Sequence, residues 1–227
     1  EFNPNIVYVS GWMDSAYMYV IKKLRKKKIP VVAGIDDKWL GNFRQRIGSF
    51  VSKLFFKNYF SHFWVSGHQQ YEYAKRMGYS DNEIIFDLLS ADINTFISPD
   101  NDNISHARSF IYVGNFRNVK GTDILLNAYK IYKNKFAGRW GLICVGNGPM
   151  QNILENNDGI KLFPFSSSDD LVKISSQASV FILPSRNDMW GLVVQEFCCL
   201  GKAMILSENV GAKSSFLIDG FNGVSFI

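Results

Sequence analysis

Asp188 and Glu196 stand eight residues apart in Pro184-Ser-Arg-Asn-Asp-Met-Trp-Gly-Leu-Val-Val-Gln-Glu-Phe-Cys-Cys-Leu-Gly201. This segment follows a buried-strand pattern at Val180–Leu183 and runs into a helical one. It therefore lies at the carboxyl end of a strand, where open α/β sheets bind ligands. A helix starting near Trp190, Gly191 and Leu192 presents unpaired backbone N–H groups and the positive end of its dipole, an arrangement suited to an anion. Glu196 falls about 7 Å further along the axis at roughly 1.5 Å per residue. It is the only charge among Leu192, Val193, Val194, Phe197, Cys198, Cys199 and Leu200, and a carboxylate in such company needs hydrogen-bond partners. The hydroxyls of a nucleotide ribose would supply them, as they do for the acidic residue of dinucleotide sites. The plainer alternative is a Glu196 facing water or paired internally, with Asp188 an ordinary cap. Spacing alone leaves both open.

A second strand-to-helix loop, Gly114-Asn-Phe-Arg-Asn-Val-Lys-Gly-Thr-Asp123, offers backbone access at Gly114. Its two cations, Arg117 and Lys120, could grip phosphate oxygens. By itself the loop reads more readily as a solvated turn with two ordinary surface cations. The turn Val145-Gly-Asn-Gly-Pro149 is weaker still, since a lone Gly-x-Gly also serves a plain tight turn. Asp100-Asn-Asp102 has the form of a metal-binding Asp-x-Asp but sits in a polar run and reads as turn chemistry. His62, His68 and His106 lack metal-ligand spacing with the cysteines, so no metal is assigned. No Walker A loop or Gly-x-Ser-x-Gly elbow occurs.

The elements that must position these loops follow from the alternation of short apolar runs with helical periods, which implies parallel βαβ units. In the front half, strands are expected at Ile6–Val9, Val31–Ala33 and His62–Ser66, with helices over 14–28, about 43–60 and 68–77. The polar run 98–109 suggests a linker. Behind it, strands are expected at 110–114, 141–145, 160–163, 180–183 and 203–206. Helices are expected over 121–133, from 149, over 168–176 and over 191–200. The fold class is thus α/β, with two Rossmann-like domains of parallel sheets facing across a cleft. The domains are drawn at 1–105, incomplete, and 106–227.

Composition sets the bounds. The 227 residues are 47% apolar, 20% charged and 15% aromatic, which excludes disordered, collagen-like and coiled-coil chains. No apolar run is long enough for a bilayer helix, and no secretory signal is evident at the start. The three cysteines, Cys144, Cys198 and Cys199, fit buried, reduced thiols of a cytoplasmic protein. Residues 1–63 carry 11 Lys/Arg against 4 Asp/Glu, a balance of +7, whereas the remaining residues carry 14 against 16. Six of the seven residues 22–28 are cationic. Residues 43–60 interleave Arg44, Arg46, Lys53 and Lys57 with Phe43, Ile47, Phe50, Val51, Leu54, Phe55 and Phe56. Apolar residues on one helical face beside cations suit an anionic membrane surface; a core-facing helix with solvated lysines is the alternative. Nucleic acid is not expected, because no recognised binding motif accompanies the charge.

Several pieces, in order, resemble the family-four (group 1) retaining glycosyltransferases of the GT-B fold. They are Val113-Gly114 with Lys120-Gly121, Val145–Pro149, Phe181–Ser185, Asp188 to Glu196, Gly201–Ser207, Gly211 and Asp219–Gly223. The family's Glu-x7-Glu signature matches with Asp188 in place of the first Glu and Glu196 as the second. More weakly, Trp64–Ser66, Tyr71–Gly78 and Ser90–Asp92 with Phe96 resemble the end of the family's N-terminal domain and its interdomain turn. Asp36 stands where many members place a His facing the sugar, and Asn115 where they place an Arg.

The resemblance implies transfer of a sugar, with retention, from a nucleotide diphosphate-sugar donor to a hydroxyl of a glycan or lipid-linked acceptor, in bacterial-type glycan or polysaccharide synthesis. It needs no cofactor or metal. Lys120, Asp188 and Asp36 are then the expected catalytic residues. Gly114, Arg117, Lys120, Trp190, Gly191, Leu192 and Glu196 are expected to bind the donor. By the same comparison the chain looks truncated at both ends and lacks its last helices, which keeps a non-catalytic nucleotide-sugar or membrane-binding fragment as the alternative. Localisation is expected in the cytoplasm, peripheral at the inner membrane face.

Overall fold

The computed structural model describes residues 3–97 and 107–227. The chain divides into two units, Glu1–Leu89 and Ser90–Ile227. The first contains β1 (Val7–Val9), α1 (Ser15–Lys26), β2 (Val31–Ile35), α2 (Phe43–Phe55), β3 (His62–Val65), α3 (His68–Arg76) and β4 (Ile84–Ile85). Its strands pair in parallel in the order β1-β2-β3-β4. Every residue of β2 is buried, as expected for a parallel strand covered on both faces. Helix α1 starts where Asp14 accepts a hydrogen bond from the Ala16 N–H at 2.7 Å, and Lys23, Arg25 and Lys26 fill its last turn, each end complementing the dipole. Phe60, Phe63 and Tyr79 centre the core, with the last two rings 4.1 Å apart.

The second unit opens with α4 (Ile93–Phe96). It continues as β5 (Ser109–Val113), α5 (Thr122–Phe136), β6 (Gly141–Val145), α6 (Gln151–Leu154), β7 (Ile160–Phe163), α7 (Ser168–Ser175), β8 (Val180–Leu183), α8 (Leu192–Cys199), β9 (Ala203–Ser207), α9 (Lys213–Phe216) and β10 (Gly223–Phe226). All six strands are parallel, in the order β10-β9-β8-β5-β6-β7. The chain builds outward from β5 through β6 to β7, then crosses back to place β8 on the other side of β5. The topological switch point is therefore the crevice beyond the carboxyl ends of β5 and β8.

Strands β6, β7 and β8 coincide with their expected spans. Two strands had no assigned span: β4, the fourth of the three or four expected in the first half, and β10, which makes six in the second unit where five were expected. The first has only two residues; the second is Gly-Val-Ser-Phe, too short and mixed for an apolar run to signal it. The division at Leu89 precedes the 105/106 boundary read from the polar run. The reason is packing. The Ala91 N–H donates to Gln195 Oε1 at 3.0 Å, and Phe96 is buried as α4 lies against α7 and α8. Residues 98–106, with Asp100-Asn-Asp102, His106 and that boundary, lie outside the described residues. All three cysteines are free, but only Cys144 is buried, its thiol pushed up to about 12 by burial; Cys198 and Cys199 are half-buried. This corrects the expectation of three buried thiols, because α8 turns one side outward.

Candidate functional site

The loops after β5, β6 and β8 converge because glycine lets their backbones touch. At Gly121, where φ is 72°, an added Cβ would strike the Pro184 carbonyl. No other residue would let the start of α5 approach the end of β8 so closely. The same two loops are stitched by hydrogen bonds. The Arg186 N–H donates to the Val119 carbonyl at 2.9 Å. The Arg186 guanidinium forks onto Asp123 at 2.6 and 2.7 Å, and also donates to the Asn118 carbonyl at 2.7 Å. Asp123 lies in the first turn of α5, and Arg186 holds its carboxyl below the usual carboxylate range. On the other side, the Phe116 N–H donates to the Asn147 carbonyl and the Met150 N–H to that of Phe116, both at 2.9 Å.

At the switch point Lys120 Nζ meets Asp188 Oδ2 at 2.7 Å. The Asp188 side chain is only 8% exposed, while that of Lys120 is 31% exposed. The ammonium thus covers the carboxylate and still reaches solvent. Ser185 Oγ donates to the same carboxylate oxygen at 3.3 Å. The backbone of Asp188 is pinned to the segment after β9, receiving from the Gly211 N–H at 3.1 Å and donating to the Asn209 carbonyl at 3.2 Å. Asp188 is consequently not an ordinary cap of α8: it is a buried acid held between two strand-end segments.

Helix α8 begins at Gly191, whose φ of 88° is left-handed, with no side-chain cap and no acidic residue in its first turn. Helices α1, α2 and α7 are capped by Asp14, Asn42 and Ser167 respectively. Among the described residues, the N–H groups of Gly191, Leu192 and Val193 find no acceptor. An uncapped N-terminus beside an ammonium is an anion site by both hydrogen bonding and dipole. Trp190 is 5% exposed, and its carbonyl accepts from the Ala212 N–H at 2.7 Å. Its indole Nε1 is buried without a partner. The buried side chain anchors the turn.

Glu196 is half-buried on α8, its carboxyl pushed above the usual range by desolvation alone, and it has no hydrogen-bond or ion-pair partner among the described residues. Such an acid lacks the neutralising contacts that a structural role would need. Arg117 is exposed, and its carbonyl accepts from the Lys120 N–H at 3.0 Å. An added Cβ at Gly114 would meet nothing nearer than the Tyr112 hydroxyl, at 3.4 Å. Asp36 belongs to the first unit, just past β2, and accepts from Ser66 Oγ at 3.1 Å. The structure therefore brings Lys120, Asp188 and the Gly191–Leu192 backbone together. Sequence reasoning missed Arg186 and Asp123, whose only signal was an acid in the first turn of α5 and an arginine in the facing strand-end loop. No cluster of metal-ligating side chains occurs among the described residues, nor any helix long and apolar enough to cross a membrane.

Residues 95–227 match the family model for glycosyl transferases group 1. An uncharacterized glycosyltransferase of Methanocaldococcus jannaschii is 29% identical over 120 residues, covering 50% of this chain and 32% of its own length. Among solved structures, Anabaena HepE in complex with UDP superposes with a TM-score of 0.77 at 14% identity, over 98% of this chain and 64% of that one. HepE has also been solved with UDP-glucose, at a TM-score of 0.72 and 15% identity over the same shares. The lipopolysaccharide outer core galactosyltransferase WaaB gives 0.70 at 17% identity, over 98% and 62%. The likeness establishes the two-unit α/β GT-B fold. The chain spans about a third of the curated relative and under two thirds of these solved chains.

Proposed function

The chain belongs to the group 1 glycosyl transferases, and from that premise we propose that its second unit binds a nucleotide diphosphate-sugar whose sugar passes, with retention, to an acceptor hydroxyl. The observation that carries this reading is the Lys120–Asp188 pair beside the uncapped start of α8, at the switch point of the sheet. Breaking the bond between the sugar's anomeric carbon and the diphosphate leaves negative charge on the departing oxygen and positive charge on the ring. The site supplies an answer to each. Lys120, with Arg117 from the same loop, and the N–H groups of Gly191 and Leu192 stabilise the diphosphate, their geometry set in advance by the stitched loops. Asp188 faces the sugar and balances the ring charge. Glu196 accepts hydrogen bonds from the ribose hydroxyls, which relieves the desolvation that raises its pKa. Gly114 leaves room for the donor beside the β5 loop. Asp36 is the first unit's candidate contribution, held at the carboxyl end of β2 by Ser66.

UDP complexes of HepE make UDP the first nucleotide to try. The chain is titrated with UDP, GDP and ADP by calorimetry, and then assayed for transfer from the matching sugars. Binding of one diphosphate that weakens about tenfold in Glu196→Ala, with inorganic pyrophosphate binding unchanged, supports the assignment. Unchanged nucleotide affinity in that variant rejects the ribose contact. Nucleotide binding without turnover favours the alternative of a binding module.

A further inference from the structure

The segment after β2, residues 36–41, has no regular secondary structure, yet side chains of the neighbouring elements grip it along its length. Gln45 of α2 makes three of the contacts. Its Oε1 accepts from the Leu40 N–H at 2.7 Å and the Gly41 N–H at 3.1 Å, and its Nε2 donates to the Lys38 carbonyl at 2.9 Å. One amide thus spends both carbonyl lone pairs and a donor on three residues of the loop. Arg46 Nε adds a hydrogen bond to the Gly41 carbonyl at 2.9 Å. Gly41 supplies the left-handed φ, 67°, at which the chain turns into α2.

The start of the loop is held from β3 and α3. Gln70 is fully buried, and its Nε2 donates to the Asp36 carbonyl at 2.9 Å. Ser66, 1% exposed, donates Oγ to the Asp36 carboxylate at 3.1 Å. The backbone and the side chain of Asp36 are therefore fixed by separate partners.

Polar groups inside a fold are costly unless they are bonded. A loop needed only to join β2 to α2 could close with ordinary turn residues and their local hydrogen bonds. Here a fully buried glutamine, a buried serine and a second glutamine are committed to six residues. What they display is Asp36 followed by Asp37, both exposed at the carboxyl end of a parallel strand. Groups that meet a substrate keep their geometry when a layer of packed and bonded side chains holds them. We propose that Gln45 and Gln70 are positioning residues for sugar transfer: they hold the loop so that the Asp36 carboxylate accepts a hydrogen bond from the acceptor hydroxyl. The inference rests on the proposed function, in which Asp36 is the first unit's contribution, and extends it to two residues that need touch neither donor nor acceptor.

The test is a double-mutant cycle on kcat for transfer, with UDP-, GDP- and ADP-glucose as donors and water or a panel of methyl glycosides as acceptors. Gln45→Met and Gln70→Met keep the bulk of each side chain and remove its hydrogen bonds. Each is expected to lower kcat about ten- to a hundredfold, with the calorimetric Kd for the nucleoside diphosphate unchanged. Gln45→Glu still accepts from the Leu40 and Gly41 N–H groups and is expected to recover most of that loss. In an Asp36→Asn background either methionine substitution is expected to cost less than about twofold more, because the group it positions is gone. Residues that only stabilise the fold would lower kcat by the same factor in both backgrounds, and that result would overturn the proposal. So would wild-type kcat in both methionine variants. If Gln70→Met does not fold, the Gln45 series carries the test. A wild-type chain that binds a diphosphate but transfers no glucose overturns this proposal and leaves the donor site standing; one that binds no diphosphate overturns both.

Discussion

Asp188→Asn is expected to tighten binding of free UDP while abolishing most sugar transfer. Lys120 Nζ and Asp188 Oδ2 are 2.7 Å apart. A phosphate oxygen bonded to the same ammonium sits about 2.8 Å from it, so the carboxylate and that oxygen are at most roughly 5.5 Å apart. Two like charges at that distance repel by about 3 kcal/mol at an effective dielectric of 20, and by under 1 kcal/mol in bulk water. With the ammonium 31% exposed, a value near 1 kcal/mol is reasonable, equivalent to about a fivefold tighter Kd. Asparagine keeps the shape and can still accept from Ser185, and the partly exposed ammonium can turn to solvent, so the fold loses one charged hydrogen bond, about 1–3 kcal/mol. Calorimetry with UDP and a thermal melt on the same samples read both quantities. A folded Asp188→Asn protein with unchanged or weaker UDP affinity would refute the idea that the diphosphate shares Lys120 with this carboxylate. The expected loss of transfer separates the two roles, since the proposed reading has Asp188 balance the sugar's developing charge.

Other perturbations follow from the same geometry. Gly121→Ala places a methyl group against the Pro184 carbonyl at a left-handed φ of 72°; we expect a loss above about 2 kcal/mol, read as a melting temperature lower by roughly 5–10 °C. Arg186→Ala removes the bidentate bridge to Asp123, and is expected to lower the melting temperature slightly and to lower transfer by loosening the loop that carries Lys120. Asp123 has a depressed pKa in the fold, so the bridge's contribution is full above the unfolded carboxylate range and lost as pH falls through the folded value. The stability gap between wild type and Arg186→Ala should close in acid. Glu196→Gln runs the other way. Burial raises the Glu196 pKa, so its charge opposes folding above that value, and the glutamine variant should be the more stable at pH 7. The difference should vanish below about pH 4, where the unfolded carboxyl is also protonated, a trend visible in melts across a pH series.

Much of this molecule is legible in the order of its residues. Parallel strands such as Gly141–Val145 and Val180–Leu183 announce themselves because a strand buried on both faces must be apolar throughout. Asp14 marks the start of α1 because a carboxylate there satisfies an N–H that no helical carbonyl can reach. Glycines and charges at strand ends point to a ligand site, since the chain can expose backbone and cations only where regular pairing stops. Three things required the folded structure. Lys120 and Asp188 are 68 residues apart, and only the return of β8 to the flank of β5 makes them a pair. Arg186 acquires its partner Asp123 by the same crossover. The periodicity of residues 43–55 reveals an amphipathic helix but not which face turns inward, because that depends on what the neighbouring elements leave to be filled; here they accept Ser49 and Ser52 and leave the phenylalanines outside. Local pattern determines elements and their ends, whereas partnership across the sheet and the sense of a helix's burial are properties of how those elements pack.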